Sequence, residues 1–485
     1  MFARRMATRG RRRHLVRGLA AFAVGLAAGL ALLAWSLRPP PAMVPPRGVA
    51  LSQLVLVEPG GARRTDVTLV VRGDRIVSLD AGPEAAAAAA DASPRYAGCF
   101  VLPGLIDLHV HHPPAAALGQ REVFAILFLA HGVTSVRDVG VFDVSLESHR
   151  RHIERGERLG PRIFRCGRLL DGDPPGWPGA LVVRSPADAE AAVQAVAGEG
   201  AECVKVYNGL DEPTLDAVRA AAEARGLRLV GHVPAAVPFE HLERMEVQHL
   251  MGLADDWPSA TPERIAAYVA HSRAHGLSHL PTLVAFARAA RLAHYEEALG
   301  DPDARLLPRF FRELLWNPER DPLVLLLNPD VPWGELGARV ELMQRMVRAL
   351  YAAGVPVLAG TDTMNPFVVP GASLHEELRL LADAGLGTEG ALVAATRTAG
   401  AVLGPPGLGR LEPGAPADLA IFRADPTRDL DALGSLEAVV AAGRLVSREA
   451  LLAAAARQRE HFEGVPYAPL FRAAAHAAIT ATAPD

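Results

Sequence analysis

The feature that most constrains the fold is a repeated alternation of strand-like and helix-like segments through the middle of the chain. Apolar strand candidates begin near eight positions, with helical stretches between most of them: Leu102, Val133, Arg162, Cys203, Leu227, Glu246, His279 and Val355. Strands that alternate with helices are typical of α/β proteins with a parallel sheet, and eight repeats predict a (β/α)8 barrel of the TIM type. Doubly wound sheets produce similar patterns and remain the alternative.

Two β-rich segments flank this region. The first extends from Val49 to Ser78 and contains the turn "RGDR", and the second contains "LGRLEPGAPADLAIFRAD" and "LEAVVAAGRLV". Each segment is too small to be stable by itself, so we predict that the two pack together as one small β-sandwich. The predicted domains are an N-terminal helix and linker at 1–46, sandwich segments at 47–100 and 404–450, the barrel at 101–403, and a helical tail at 451–485.

The interval from 286 to 350 is longer than a single helix, and we interpret it as an insertion in the barrel. It contains five apolar or aromatic residues close together: Phe310, Phe311, Leu314, Leu315 and Trp316. They predict a packed cap over the barrel mouth, which would exclude water from a site there. A surface subdomain without a role in the site is the alternative.

The N-terminal segment predicts export from the cytoplasm. Arginines precede an uncharged apolar run from Gly18 to Leu37, and the first acidic residue is Glu58. Twenty helical residues span about 30 Å, the thickness of a bilayer core. Because arginines stay cytoplasmic, we predict a single-pass anchor with the rest of the chain on the periplasmic or extracytoplasmic face. A cleaved signal peptide, including one of the twin-arginine type, is the alternative.

Composition excludes several classes of protein. Apolar residues make up 50% of the chain and charged residues 21%, which excludes global disorder. The net charge is −4 and no basic tract lies outside the N-terminus, so nucleic acid is not an expected partner. Cys99, Cys166 and Cys203 are scattered without a CxxC motif, so neither a disulfide framework nor a thiolate zinc site is expected. A small-molecule substrate is the expected partner, and a homo-oligomer is left open.

A candidate metal site begins at the end of the first barrel strand, in "LPGLIDLHVHH". His109 and His111 are two residues apart, and the period of two along a strand directs both imidazoles to the same face. Two imidazoles that converge from one strand end form a metal-binding pair. An isolated HxH is more often incidental, so the interpretation depends on the residues that follow.

Further candidates lie at later strand ends: Lys205 in "CVKVY", His232 in "LVGHVP", His249 in "EVQHL" and Asp362 in "AGTDT". Their spacings fit βα units of roughly 30 residues and assign the candidates to strands 1, 4, 5, 6 and 8. All lie at the carboxyl ends of strands, where barrel active sites are built. Lys205 is also unusual because it is the only lysine among 485 residues.

The ordered set of motifs resembles the metal-dependent amidohydrolase superfamily: "LPGLIDLHVH", "GVTSVRDVG", "VKVY", "GHVP", "VQHL", "AGTDT" and "LGRLEPGAPADLAIF". The chain is similar to the imidazolonepropionase-like group, which includes zinc-dependent Xaa-Pro dipeptidases. The resemblance implies two divalent metal ions, usually zinc, bridged by a carbamylated lysine (N6-carboxylysine). It assigns one ion to His109, His111 and Asp362, the other to His232 and His249, and the bridge to Lys205.

The bridge explains why this chain keeps one lysine. Of 50 basic residues, one is Lys205 and the other 49 are arginines. A neutral lysine amine adds CO2 to give an anionic carbamate with two oxygen donors, one for each ion. An arginine guanidinium stays protonated and cannot form this group. We therefore predict a functional role for Lys205.

The resemblance also separates reaction classes. Deaminases usually carry a glutamate three residues after the strand-5 histidine, where this chain has Ala235. Imidazolonepropionase itself uses one metal ion and no strand-4 lysine. The expected reaction is hydrolysis of an amide bond through a metal-bridging hydroxide, in dipeptides such as Xaa-Pro or in N-acyl amino acids. Asp362 is the expected catalytic residue, which accepts the water proton and passes it to the leaving amine.

Two other functions remain open. A lactonase or esterase would use the same metal pair, and a metal-free binding protein would keep the fold without the chemistry. Tyr207 shares a face with Lys205 and is a candidate substrate contact, as is His279 on strand 7. A packing role for Tyr207 and a surface position for His279 are the alternatives. Arg137 and Asp138 in "VRDVG" are predicted to form an internal ion pair.

Overall fold

The computed structural model describes residues 38–79, 93–115, 117, 119–141, 145–177, 179–254, 260–319 and 333–464, with positions 25, 28, 29, 32 and 469. The predicted membrane span, Gly18 to Leu37, lies outside these residues except at four positions, and most of the tail after residue 464 also lies outside. Within the described part of the chain, we find no helix with the length and apolar composition that a membrane crossing requires.

The strands alternate with helices through the middle of the chain and cluster at its two ends. In chain order the strands are β1 Val49–Val57, β2 Arg63–Arg72, β3 Arg75–Ser78, β4 Phe100–Pro103, β5 Leu105–Val110, β6 Val133–Asp138, β7 Arg162–Arg165, β8 Leu170–Asp171, β9 Leu181–Val182, β10 Cys203–Val206, β11 Arg228–Gly231, β12 Met245–Gln248, β13 Ser278–Leu280, β14 Leu419–Phe422, β15 Leu436–Ala441 and β16 Arg444–Ser447. The helices are α1 Gln120–Ala130, α2 Leu146–Glu154, α3 Pro186–Gly198, α4 Glu212–Glu223, α5 Pro262–Ala274, α6 Leu283–Ala289, α7 Tyr295–Ala298, α8 Leu336–Ala352, α9 Ala372–Leu381, α10 Gly387–Ala394, α11 Arg397–Leu403 and α12 Arg448–Gly464.

The central strands form two parallel arrays, in the orders β5–β6–β7 and β13–β12–β11–β10–β8–β9. The segment 355–363 lies between the two arrays. It makes a parallel bridge to β13 between Val357 and His279, and another to β5 between Thr363 and Val110. The strands are buried along nearly their whole length, as expected when helices cover a parallel sheet. The protein is therefore an α/β protein whose parallel sheets are consistent with a TIM-like barrel.

The two ends of the chain meet in one seven-stranded sheet, in the order β16–β15–β14–β4–β1–β2–β3. β4 joins the two ends because it pairs in parallel with β1 and antiparallel with β14. The small domain predicted as a β-sandwich is thus a single hydrogen-bonded sheet, with a buried apolar cluster that includes Leu51, Leu69, Ile421 and Val440. Since β4 ends at Pro103, the sheet extends past the predicted boundary at residue 100.

A disulfide joins Cys166, directly after β7, to Cys203 at the start of β10. Both residues are buried, together with Val139 and Val230. The expectation that the cysteines form no disulfide is wrong for this pair, and only Cys99 is a free thiol in the described residues. The sequence pattern failed here because 37 residues separate the two cysteines, and only the fold brings these two strands side by side. The disulfide also links the two parallel arrays.

We expect reduction of this disulfide to destabilise the fold. Closing a loop of 37 residues restricts the unfolded chain, which corresponds to roughly 3–4 kcal/mol in the chain-entropy model. Thermal unfolding should therefore have a lower midpoint with reductant than without it. A Cys166→Ser, Cys203→Ser double variant should show the lower midpoint and no response to reductant. Equal midpoints for the wild-type protein in both conditions would contradict this prediction.

The predicted insertion packs against the site-bearing part of the fold. Four of its five apolar residues are buried, namely Phe310, Phe311, Leu314 and Trp316. The ring centroid of Phe311 lies 5.7 Å from that of Phe124 in α1, and Trp316 lies 5.1 Å from Phe367. Because Phe367 follows Asp362 by five residues, the insertion supports the loop that carries this candidate ligand. Residues 320–332 lie outside the described chain, and the role as a water-excluding cap stays a prediction.

Candidate metal centre

All six predicted ligands lie at the carboxyl ends of the parallel strands or directly after them. His109 is in β5 and Lys205 is in β10, while the other four lie in the loops that follow β5, β11 and β12 and in the segment 355–363, namely His111, His232, His249 and Asp362. The carboxyl ends of parallel strands share one edge, so residues from distant parts of the sequence meet there. The structure therefore brings the predicted set together.

The local backbone directs two of these side chains into the site. His249 and Asp362 each adopt the left-handed conformation, with φ of 59°. Non-glycine residues rarely occupy this region, and such conformations are concentrated at functional sites. Gly360 allows the segment of Asp362 to lie close to β5, because a Cβ atom at Gly360 would be 2.8 Å from the Cβ of His109.

Imidazole nitrogens converge on the carboxylate of Asp362. Its Oδ1 lies 3.2 Å from Nε2 of His109 and 3.3 Å from Nε2 of His111, and its Oδ2 lies 3.9 Å from Nε2 of His249. Ligand atoms of His109, His249 and Asp362 all lie within 4.8 Å of one another. Two donors on one tetrahedral zinc ion at about 2.0–2.1 Å would be separated by roughly 3.4 Å. The spacing of these atoms therefore fits metal binding at this cluster, and Asp362 lies between His109 and His111 on one side and His249 on the other.

Hydrogen bonds at Nδ1 orient three of the histidines. The Nδ1 of His111 lies 3.1 Å from the carbonyl oxygen of Gly140, and that of His232 lies 2.7 Å from Oδ1 of Asn208. Both partners are acceptors, so each Nδ1 carries a proton, and in the neutral imidazole the lone pair is then on Nε2. Metal-binding histidines typically donate a hydrogen bond from the ring nitrogen that does not bind the metal, as Nδ1 does here.

The third histidine, His249, is oriented through a hydroxyl group. Its Nδ1 lies 2.6 Å from Oγ1 of Thr282, and that hydroxyl donates to the carbonyl oxygen of Pro281 at 2.7 Å. Because the single hydroxyl proton is used on Pro281, Thr282 accepts from His249. The Nε2 lone pair of His249 therefore also faces the cluster.

Burial favours the neutral, metal-binding form for three of the four histidines. Burial lowers the pKa of His109 to about 4, although the charge of Asp362 opposes this effect. Burial also holds the pKa values of His232 and His249 well below the ordinary range. For His111, burial is outweighed by the hydrogen bond and charge of Asp362, and its pKa is raised. Burial raises the pKa of Asp362, but its imidazole neighbours, His109 first, hold it well below the usual value. Three neutral imidazoles, His109, His232 and His249, beside an ionised carboxylate are a suitable donor set for zinc.

Lys205 lies fully inside the protein, with 1% of its surface exposed. Burial lowers the pKa of its amine to about 7, against the opposing charges of Asp362 and Glu246. An ordinary lysine is almost fully protonated at neutral pH, since its pKa is about 10.4. Burial therefore favours the neutral amine of Lys205, the form that can add CO2.

Two half-buried aromatic side chains lie beside the cluster. The ring centroid of Tyr207 is 4.2 Å from that of His232, and the centroid of Trp177 is 5.1 Å from that of His111. The two aromatic rings are 6.3 Å apart. The position of Tyr207 agrees with its predicted place near the ligands, whereas Trp177 was missed because its loop carries no recognisable motif.

His279 does not face the cluster. It lies in register with Val247, whereas the next residue, Leu280, lies in register with Gln248. Its Nε2 lies 2.9 Å from Oγ of Ser272 in α5, and its Nδ1 is 3.3 Å from another hydroxyl of that helix. The structure therefore corrects the prediction of a substrate contact for His279, which instead packs the strand against α5.

The predicted ion pair between Arg137 and Asp138 is also wrong. Arg137 forms a two-pronged ion pair with Glu246, and Nη1 donates to Oε2 at 2.9 Å. Asp138 instead accepts from the backbone and the Nδ1 of His112, both at 2.8 Å. Consecutive residues in a strand point to opposite faces, so neighbours of this kind cannot pair with each other.

Comparisons with known proteins agree with this geometry. The sequence model of the amidohydrolase family matches residues 100–446. No match is found among curated proteins. A solved bottromycin amidohydrolase is 27% identical, with a TM-score of 0.65 over 84% of this chain and 91% of that chain. A Xaa-Pro dipeptidase with bound methionine is 20% identical, with a TM-score of 0.60 over 82% and 100% of the two chains. A prolidase complexed with N-methylphosphonate-L-proline is 22% identical, with a TM-score of 0.62 over 83% and 100%. At 20% and 22% identity, the last two structures show a shared fold and nothing more specific.

Proposed function

The chain belongs to the amidohydrolase family and is a hydrolase, and we propose that it is a binuclear metal-dependent enzyme that cleaves amide bonds in small molecules. The observation that carries this proposal is the convergence of imidazole Nε2 atoms on Asp362 beside a buried lysine. We propose Xaa-Pro dipeptides or N-acyl amino acids as the substrate class, inside the (β/α)8 barrel expected from the sequence.

The donor set supports two ions. His109, His111 and Asp362 would hold one, and His232 and His249 would hold the other. Lys205, once converted to its carbamate, would supply one oxygen to each. Zinc is the proposed metal because imidazole nitrogens and carboxylate oxygens are ligands that zinc prefers. When bound, the ions lower the pKa of a water molecule and polarise the substrate carbonyl.

Asp362 is the proposed proton carrier. It is the carboxylate nearest the convergence of the three imidazoles, and its low pKa keeps it ionised and able to accept. It would take the proton of the attacking water and return it to the nitrogen of the leaving amine, so the amide C–N bond breaks without release of an amide anion. Esters and lactones have better leaving groups than amides and need less protonation there. A residue that returns a proton to the leaving nitrogen therefore suits an amide substrate.

The aromatic pair beside the ligands supports an apolar substrate group. Trp177 and Tyr207 present partly exposed rings within 5.1 Å and 4.2 Å of metal-site imidazoles. A proline ring or an apolar side chain would bury surface against them, at about 25 cal/mol for each Å². The solved prolidase and Xaa-Pro dipeptidase share the fold that carries this site.

The proposed function is tested with a substrate panel on zinc-loaded protein. The panel contains Xaa-Pro and other dipeptides, N-acyl amino acids, lactones and simple esters. We expect amide hydrolysis that disappears with a chelator and returns with zinc. Hydrolysis of lactones or esters alone would replace the proposed activity by a lactonase or esterase. Failure to hydrolyse any compound, together with failure to retain metal, would support a binding protein.

We also propose that the chain is exported and held by an N-terminal anchor. The arginine-rich start and the apolar run support export, and so does the disulfide between Cys166 and Cys203, since disulfides persist in oxidising compartments. The full-length protein should sediment with membranes and resist carbonate extraction, whereas a chain that begins at Arg47 should stay in the supernatant. A mature N-terminus between residues 30 and 45 would replace the anchor by a cleaved signal.

A further inference from the structure

Three buried polar side chains, Arg137, Glu246 and Gln248, contact one another in series, and the last of them contacts Lys205. Arg137 is paired with Glu246, and Oε1 of Glu246 lies 3.4 Å from Nε2 of Gln248. Oε1 of Gln248 accepts a hydrogen bond from Nζ of Lys205. All four side chains are at most 2% exposed. None of the first three is among the proposed metal ligands.

The carboxylate of Glu246 fixes which way the Gln248 amide faces. An ionised carboxylate only accepts hydrogen bonds, so it must face the amide NH2 group of Gln248. Arg137 maintains the ionised form, because its guanidinium donates to both carboxylate oxygens and also binds the carbonyl oxygen of Leu108 at 2.9 Å. The amide oxygen of Gln248 is consequently presented to Lys205, and the reverse orientation would place two donors against the lysine.

We propose that Gln248 is a positioning residue that orients the carbamate of Lys205. This inference rests on the proposed binuclear function. In the reaction, the neutral amine of Lys205 forms a bond to the carbon of CO2, one N–H proton leaves to solvent, and the product is a carbamate anion with one remaining N–H. That N–H keeps the hydrogen bond to Oε1 of Gln248.

The retained hydrogen bond sets the plane of the new group. A carbamate is planar, like a peptide unit, so the direction of its N–H determines the direction of its two oxygens. With the N–H held by Gln248 and the N–Cε bond held by the lysine side chain, the plane of the carbamate, and with it the position of its two oxygens, is fixed. Free rotation about the lysine side chain would otherwise present the oxygens in several directions, and only some of them would serve two ions.

The test uses Gln248→Met, which keeps the approximate length of the side chain and removes the amide. Metal-free protein is incubated with 13C-bicarbonate and zinc, and the carbamate is measured by its 13C NMR signal together with zinc per chain. We expect half-maximal carbamylation of the variant to need about tenfold more bicarbonate than the wild type. Gln248→Asn shortens the side chain by one methylene and moves the amide oxygen away from Lys205. It should also raise the bicarbonate concentration needed for half-maximal carbamylation.

Gln458→Met is the matched control. Gln458 is also buried, but its amide donates to the carbonyl oxygen of Pro40, away from the site. This variant makes the same chemical change and should keep the wild-type bicarbonate requirement. The thermal unfolding midpoint of each variant shows whether the variant is folded. If Gln248→Met does not fold, Gln248→Asn serves as the test of the positioning role.

The outcomes separate this inference from the proposed function. A 13C carbamate signal in the wild type with an unchanged bicarbonate requirement in both Gln248 variants would overturn the positioning role alone. The absence of the signal in the wild type would overturn the carbamate bridge itself, and the positioning role with it. A higher requirement in the Gln248 variants, with Gln458→Met unchanged, is the result that the structure predicts.

Discussion

We expect Lys205→Arg to lose at least one bound metal ion and to fall at least roughly a hundredfold in hydrolytic rate, since a metal ion contributes several kcal/mol at the transition state. The variant keeps the positive charge of the side chain and removes only the amine that can add CO2. The guanidinium would also be buried beside metal-binding groups, in a site where the lysine is 1% exposed. An uncompensated buried charge costs several kcal/mol. The measurement is zinc per chain together with kcat on the best amide substrate.

Lys205→Ala provides the comparison for this variant. Alanine leaves space where the carbamate would lie, so acetate or propionate can enter and supply two carboxylate oxygens. We expect added carboxylate to restore part of the zinc content and part of the rate in Lys205→Ala and not in Lys205→Arg. Near-normal turnover with two bound ions in Lys205→Arg would contradict the bridging role.

The second large effect is expected for Asp362→Asn. This change keeps the shape of the side chain and removes both the negative charge that faces His109 and His111 and the group that accepts a proton. Loss of a general base typically costs about 10²–10⁴-fold in rate. We expect kcat to decrease by at least about 10²-fold, even at zinc concentrations that restore the metal content.

Asp383→Asn serves as the control, because Asp383 is an exposed carboxylate that lies outside the cluster. It should keep both the zinc content and the rate of the wild type. If Asp362→Asn binds metal normally and keeps more than about a tenth of the wild-type rate, the proton-carrier role is wrong.

The sequence predicted the parallel architecture and the meeting of the candidate residues at one edge because both depend on regular periods. The spacing of apolar strands identified the central repeats, and the strand ends identified candidate ligands such as His109, Lys205 and Asp362. The period of two within a strand then gave a common direction for His109 and His111, whose Nε2 atoms do meet at Asp362. These features are encoded locally, in residues only a few positions apart.

Contacts between distant strands were harder to predict. The disulfide of Cys166 depends on which strand lies beside β7, and the partner of Arg137 is 109 residues away in β12. His279 lies in a three-residue strand, which is too short for the period of two to identify its inward face. The acceptors behind His111 and His249 are a backbone carbonyl group and a threonine hydroxyl, and neither has a sequence signature.

We propose that the site holds two metal ions joined through Lys205. The most direct measurement is elemental analysis of the full-length protein, purified with zinc and bicarbonate and then freed of unbound metal, which gives metal per chain. We expect about two zinc ions per wild-type chain. One ion per chain, or none, under these conditions would contradict a site with two ions.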